Sequence, residues 1–332
     1  MSLLIEHPGR LTTIQDLGRF GMQYQGISPS GAMDSYSARI ANLLVGNQPT
    51  AALLEITLTG LCLRVEVALW IAITGANLAP TIDEIPLPTW RPIRVRSGAK
   101  ICFNQLRYGC RAYLAVAGGI VVPAILGSTS TDCTHRFGGW MGRALACGDK
   151  LPVPPTNHLP ELMPSMPFWA PTWSVAWHTY LPLTFPALLH LIVGEDWDNL
   201  THESKTDLLN TTWTVNSVSN RMGLRLDGAK LTLTRVHEKL SGGVATATVQ
   251  LPPNGFPIIL GVERQTTGGY PVLGTIASID IPRLAQLRPC ETLRFVLLDL
   301  LNAQRLLKTR ERNLRNLATI IGQQLINLCS HS

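Results

Sequence analysis

Apolar side chains occupy every second position through Leu61, Leu63, Val65 and Val67, the period of a strand with one buried face. Short runs of the same kind recur at 68–73, 93–96, 113–116, 213–218, 230–233 and 293–297, separated by Gly, Pro or Asn. A chain punctuated this way, with 28 Gly and 23 Pro, cannot build long helices over most of its length. It reads instead as a β-sandwich or β-barrel protein. Helical periodicity is confined to two places. Residues 35–45 place Ala38, Ala41 and Leu44 or Val45 on one face behind Asp34 as N-cap, and 300–328 carry a stripe of Leu306, Leu307, Leu314, Leu317, Ile321 and Leu325.

At 332 residues the chain has room for two domains. Between Pro152 and Pro186 lie nine of its 23 prolines together with Trp169, Trp173 and Trp177, a composition unsuited to a central sheet strand. The expected division is therefore a β-rich lobe at 1–152, an ordered Pro/Trp-rich linker at 153–187, a second β-rich lobe at 188–299, and a C-terminal helix at 300–329. With 45% hydrophobic and 15% charged residues, the chain fills a globular core. No apolar run approaches the roughly 20 residues of a membrane span. The N-terminus lacks a basic region followed by an apolar core, so a cytoplasmic protein without membrane contact is expected. The seven cysteines are scattered and form no Cys-x-x-Cys pair, which suggests neither a metal site nor a disulfide framework. The formal charge of +6 draws on Arg305, Lys308, Arg310, Arg312 and Arg315, a solvated helix face rather than a nucleic-acid surface.

The sequence contains no P-loop and no Gly-x-Ser-x-Gly elbow, and no Ser/His/Asp arrangement stands out. What it offers is neutral donors and arginines beside glycines. In Arg264-Gln265-Thr266-Thr267-Gly268-Gly269-Tyr270, two hydroxyls, an amide and a guanidinium precede a Gly-Gly pair whose N–H groups can approach a ligand closely. Arg221 and Arg264 present planar forks to oxyanions, and Asn220, Gln250 and Gln265 can hold an amide. The Gly268 and Gly269 N–H groups suit an oxyanion pocket. Asp16 and Glu55 are the candidate base or orienting carboxylates, with Arg19 beside Asp16. Each assignment competes with a structural one: an Asp16–Arg19 turn staple, a strand-end ion pair at Glu55, and a bridge from Arg221 to a carboxylate such as Asp227.

Three runs, Ser219-Asn220-Arg221-Met222-Gly223, Thr248-Val249-Gln250-Leu251-Pro252 and the Arg264–Tyr270 stretch, resemble the KipA-type biotin-dependent carboxyltransferase family, also called allophanate hydrolase subunit 2. Thr13-Ile14-Gln15-Asp16-Leu17-Gly18-Arg19, Gly31-Ala32-Met33-Asp34, Leu54-Glu55-Ile56-Thr57 and Tyr113–Ile120 extend the likeness in family order, from about residue 3 to about residue 307. The branch it most resembles is the C subunit of ATP-dependent 5-oxoprolinase. The resemblance implies a mainly β fold of two cyclophilin-like β-barrel lobes with few helices. It also implies a complex that opens the lactam of 5-oxoproline to glutamate. The implied partners are a carboxyltransferase homologue of the B-subunit type and the A subunit of 5-oxoprolinase, and this chain is expected to be inactive without them. ATP is implied for the complex, with its site not located between this chain and its partners, and no biotin is expected here because no Met-Lys-Met-type segment is present. The resemblance leaves two other roles open: transfer of a carboxyl group from carboxybiotin to urea or a similar amide, and non-enzymatic regulation through a kinase inhibitor of the B-subunit type. The chain departs from the family pattern at Pro289-Cys290-Glu291 and at Ala247, where glycine-containing turns are usual, and at Val262-Glu263-Arg264, where an Asp-containing stretch is usual.

Overall fold

The alternating run at Leu61 forms a strand whose apolar side chains face a core shared by two sheets. The computed structural model describes residues 1–155, 166–179, 181–235 and 240–330, with 329 and 330 described by backbone alone. By contact the chain divides into two units. One takes in Met1–Arg19, Ser30–Leu181 and the chain from Leu314 on; the other takes in Phe20–Pro29 and Pro182–Asn313.

The first unit contains β1 (Ser2–Pro8), β2 (Leu11–Gln15), β3 (Leu53–Thr57), β4 (Leu61–Val65), β5 (Leu69–Asn77), β6 (Pro80–Ile82), β7 (Ile85–Pro86), β8 (Pro92–Val95), β9 (Lys100–Phe103), β10 (Tyr108–Val116), β11 (Lys150–Pro152) and β12 (Phe168–Trp169). They form two six-stranded sheets, ordered β11-β1-β4-β9-β6-β7 and β12-β8-β5-β10-β3-β2. Leu3, Leu63 and Ile101 from the first sheet and Ile56, Ile73 and Leu114 from the second are fully or almost fully buried in one apolar cluster. Each such side chain contributes roughly 1.5–3 kcal/mol relative to exposure. Helix α1 (Ser35–Leu44) follows Asp34, whose carboxylate accepts from the Ser37 N–H at 2.9 Å, so the expected cap forms. Residues 156–165 and 180 of the expected linker lie outside the described residues. In the rest of it, β12 pairs with β8, Trp169 meets Trp70 edge-on at 5.8 Å, and Trp177 stacks on Trp90 at 6.2 Å.

The cysteine reading needs correction. Cys62 and Cys102 are bonded as a disulfide between β4 and β9, where the antiparallel register sets them opposite each other. Their 40-residue separation hides this pairing in the sequence, because register follows from sheet order and not from spacing.

The second unit is a closed barrel. Its strands are β13 (Ala187–Val193), β14 (Trp213–Val215), β15 (Gly223–Asp227), β17 (Thr248–Gln250), β18 (Ile258–Leu260), β20 (Val272–Ile276) and β21 (Thr292–Leu297). They run in the order β13-β20-β17-β18-β15-β14-β21, and a parallel pairing of β21 with β13 closes the ring. The interior takes alternate residues, including Leu189, Leu191, Leu224, Leu226, Val249 and Ile259, and Trp213 meets Phe295 there at 6.3 Å. A separate two-stranded ribbon joins β16 (Gly242–Gly243) to β19 (Thr267–Gly268). Helices α2 (His202–Asn210) and α3 (Ile281–Ala285) flank strands, and α4 (Leu300–Ser330) ends the described chain. On α4, Ala303, Leu314 and Ile321 are buried, whereas Arg305, Lys308, Arg312 and Arg315 are exposed. Among the described residues no helix is long and apolar enough to cross a membrane.

Both departures at glycine positions fall on left-handed backbone, with φ of 68° at Ala247 and 69° at Cys290. A side chain there costs about 1 kcal/mol of strain. The two sites differ in burial: Ala247 is fully buried and Cys290 is exposed. Cys290→Gly is expected to raise unfolding free energy by about 0.5–1 kcal/mol in urea melts, through relief of strain. Ala247→Gly also loses a buried methyl group and is expected to be neutral to within about 0.5 kcal/mol.

Candidate functional site

The site follows from strand alternation in β15, β18 and β17. Leu224, Leu226, Ile259 and Val249 point into the barrel, so Gly223, Arg225, Ile258, Leu260 and Gln250 take its outer face. The register sets Arg225 opposite Ile258, Gly223 opposite Leu260, and Gln250 opposite Ile258 on its other side. The β16–β19 ribbon meets this face. A Cβ added at Gly268 would lie 2.6 Å from Gln250 Nε2, so a side chain there would displace the amide. Between face and ribbon lies a cavity of about 370 Å³. Val218, Met222, Val244, Ile258, Leu260 and Tyr270 give it apolar walls. Asn220, Gln250, Gln265 and Thr267 supply amides and a hydroxyl, Arg225 and Arg264 supply cations, and Gly223, Gly268 and Gly269 complete the lining. Among the described residues that lining contains no carboxylate.

Most of the candidate ligand-binding residues therefore converge: Asn220, Gln250, Arg264, Gln265, Thr267, Gly268, Gly269 and Tyr270 share one cavity. Arg264 is 3% exposed. Its Nε donates to the Val244 carbonyl at 3.1 Å and an Nη to Thr246 Oγ1 at 2.8 Å, both neutral acceptors. Burial pulls its pKa below the usual arginine value, yet a guanidinium keeps its charge. The Gln250 amide donates to the Tyr270 carbonyl at 3.4 Å. Asn220 Oδ1 accepts from the Met222 N–H at 2.8 Å, which shapes the turn before β15. Thr266 is buried outside the lining, and its carbonyl accepts from the Val244 N–H at 3.0 Å.

Arg221 is also absent from the lining. Its Nε donates to Glu263 Oε1 at 2.7 Å, with both side chains buried. The expected bridge from Arg221 to a carboxylate is thus formed with Glu263. Around the pair, the Glu263 N–H donates to the Arg221 carbonyl at 3.1 Å and the Gly261 N–H to that of Met222 at 2.8 Å. Gly261 is needed for this lamination, since a Cβ would lie 2.1 Å from the Arg221 oxygen.

Asp16, Arg19 and Glu55 belong to the first unit. Asp16 is saturated: it accepts from Ser128 Oγ at 2.7 Å, from the Thr129 N–H at 2.7 Å, from the Gly18 N–H at 2.7 Å, and from Ser130 Oγ. Burial raises its pKa, but these donors together outweigh burial and hold it below the usual aspartate value. Arg19 donates to the Ser130 carbonyl and lies over the Phe137 ring at 4.5 Å. Glu55 Oε2 accepts from the Met33 N–H at 2.8 Å and from Tyr113 Oη at 2.9 Å, and Arg111 Nε is 3.9 Å from its other oxygen. Burial and then the Glu55 and Asp34 charges push the Tyr113 pKa well up, so the phenol stays a donor.

Arg225 is the residue that sequence reasoning missed. The signal was available: a lone charge between Leu224 and Leu226 in a strand must face outward, two positions past the Asn220 turn.

Fold and cavity together define a barrel protein with a small-molecule pocket suited to an anion. The chain belongs to the carboxyltransferase domain family, subdomain A and B, whose profile it matches over residues 25–297. It is 36% identical to the 5-oxoprolinase C subunit of Escherichia coli over 95% of this chain and 97% of that protein. To the protein of the same name from Haemophilus influenzae it is 33% identical, over 94% of this chain and 96% of that one. The K. lactis urea amidolyase crystal structure superposes with a TM-score of 0.86 at 30% identity, over 95% of this chain but 20% of that one.

Two outcomes are expected from these contacts. Glu263→Gln or Arg221→Met strands one buried charge and is expected to cost about 3–5 kcal/mol, whereas an Arg221→Met/Glu263→Leu double variant recovers most of it in denaturant melts. Asp16 stabilises the fold above its unfolded pKa and loses that contribution as pH falls through its lower folded value. The stability gap between wild type and Asp16→Asn is therefore expected to be full near pH 7 and to close below about pH 4, measured by urea melts across that range.

Proposed function

We propose that this chain is the C subunit of an ATP-dependent 5-oxoprolinase, in which it binds the cyclic amide as the complex hydrolyses it to L-glutamate. The observation that carries this reading is end-to-end correspondence. The chain matches 97% and 96% of two bacterial proteins that bear the name of the 5-oxoprolinase C subunit, whereas the urea amidolyases it resembles are several times longer. A chain of this kind acts in the cytoplasm with an A subunit of the same enzyme and a carboxyltransferase homologue of the B-subunit type, and is inactive without them.

The cavity chemistry agrees with a small acidic amide. A lactam is a weak electrophile, and the complex uses ATP to turn its oxygen into a leaving group. The described lining supplies no carboxylate to hold Mg²⁺, so no nucleotide role is assigned to its residues. The nucleotide is assigned to the complex. On this chain, Gln250, Gln265 and Asn220 orient the amide through paired donors and acceptors. Gly268 and Gly269 line the cavity, and because the antiparallel pairing with Gly242 takes up the Gly268 N–H, the Gly269 N–H is assigned the negative charge that builds on the amide oxygen, beside an apolar wall that excludes water. Asp16 and Glu55 serve the fold of the first unit.

A second reading, carboxyl transfer from carboxybiotin to a urea-like amide, draws on the structural likeness to urea amidolyase. One experiment separates them. The chain is co-purified with homologues of the A and B subunits, and ATP-dependent conversion of 5-oxoproline to glutamate is assayed with each component omitted in turn. Turnover that needs all three is expected, and Gln250→Ala is expected to lower kcat/KM at least tenfold by removing a contact to the amide. A stable complex without turnover, joined by carboxylation of urea when a biotin carrier and bicarbonate are added, would move the assignment to the second reading.

A further inference from the structure

The cavity contains an imbalance that amide binding does not explain. Arg264 is a buried guanidinium, 3% exposed, whose hydrogen bonds go to the Val244 carbonyl and Thr246 Oγ1, both uncharged. Arg225 lines the same cavity from the exposed outer face of β15. Neither forms a salt bridge among the described residues. Elsewhere in the same unit a buried arginine is matched: Arg221 has Glu263 at 2.7 Å. Burying a cation without a counterion is unfavourable unless something else supplies the opposite charge. Nε and one Nη–H of Arg264 are committed to the protein, which fixes the plane of the guanidinium. The remaining N–H groups are available to the cavity it lines, and a planar fork of this kind matches a carboxylate in two-point contact.

We propose that Arg264 determines acceptor specificity by binding a carboxylate on the substrate, with Arg225 drawing that anion in from solvent. The cavity thereby takes amides that carry an acid group and discriminates against uncharged ones such as urea. This assignment rests on the proposed function for its choice of lactam, but the charge logic is separable from it. The two arginines do different work because their exposure differs. An exposed guanidinium acts through a screened field and affects capture, whereas the buried one loses little to water and sets the affinity difference between charged and neutral ligands.

The test compares matched ligands. Binding of 5-oxo-L-proline, 2-pyrrolidinone (the same lactam without the acid), N-carbamoylglycine and urea to the full-length chain is measured by calorimetry, and turnover of 5-oxoproline is measured on the three-component complex. Wild type is expected to prefer each acid over its neutral counterpart by roughly 30-fold or more. Arg264→Gln, with melting used to check its fold, is expected to bring that preference to within about threefold while leaving 2-pyrrolidinone binding little changed. Arg264→Lys retains charge without the fork and is expected to fall between. Arg225→Gln, at an exposed position that does not burden the fold, is expected to weaken acid binding roughly threefold and to flatten its salt dependence. Overturning results are specific: no preference for acids in wild type, an undiminished preference in folded Arg264→Gln, or no binding of any of the four ligands. Loss of the preference in Arg264→Gln without any turnover of 5-oxoproline by the wild-type complex would keep the carboxylate site and reject the oxoprolinase reading. Full turnover with an Arg264-independent preference would do the reverse.

Discussion

The buried pairing of Arg221 with Glu263 is the contact on which the site depends. It joins two turns 42 residues apart in the chain, and the backbone bonds beside it laminate 261–263 onto 221–222. Arg264 follows directly, so its place in the cavity is inherited from that junction. A buried ion pair is an uncertain source of net stability, because desolvation offsets much of the attraction. Its contribution here is positional: it lets the loop adopt one arrangement and no other. Arg221 thus stands behind the cavity wall, and Arg264 lines it.

A seven-stranded barrel of this width fills its own interior. Trp213, Phe295 and the alternate leucines and isoleucines of the strands pack the centre. The cavity lies on the outer face, where β15, β17 and β18 would otherwise present a partly polar surface to water. The ribbon of β16 and β19 converts that surface into a cavity, and it does so with small residues. Glycine at 268 lets the main chain come close enough to bury Gln250, which is 4% exposed although it points away from the barrel core. Shape and polarity of the site are therefore set by one close backbone approach.

Sequence alone revealed what is local. The period-two runs located strands, Asp34 announced the start of α1, and glycines beside neutral donors drew attention to 264–270. Contacts fixed by tertiary register were not legible. Nothing in the spacing of Cys62 and Cys102 marks them as opposite residues of adjacent strands. A carboxylate partner for Arg221 is legible in the sequence as a type, but that Glu263, 42 residues on, provides it depends on how the two turns meet. Asp16 stands out by its polarity, yet its function as an acceptor of hydroxyl and amide donors from 128–130 depends on a contact more than 100 residues away.

The assignment of Phe20–Pro29 to the barrel unit, although strands of the other unit precede and follow it, gives the fold a braided connectivity. The chain passes from one unit to the other after Arg19, returns at Ser30, leaves again after Leu181, and re-enters at Leu314 along an unbroken helix. No single cut in the gene can separate one unit whole from the other. Recombination at one point would therefore give each hybrid at least one unit assembled from two parents.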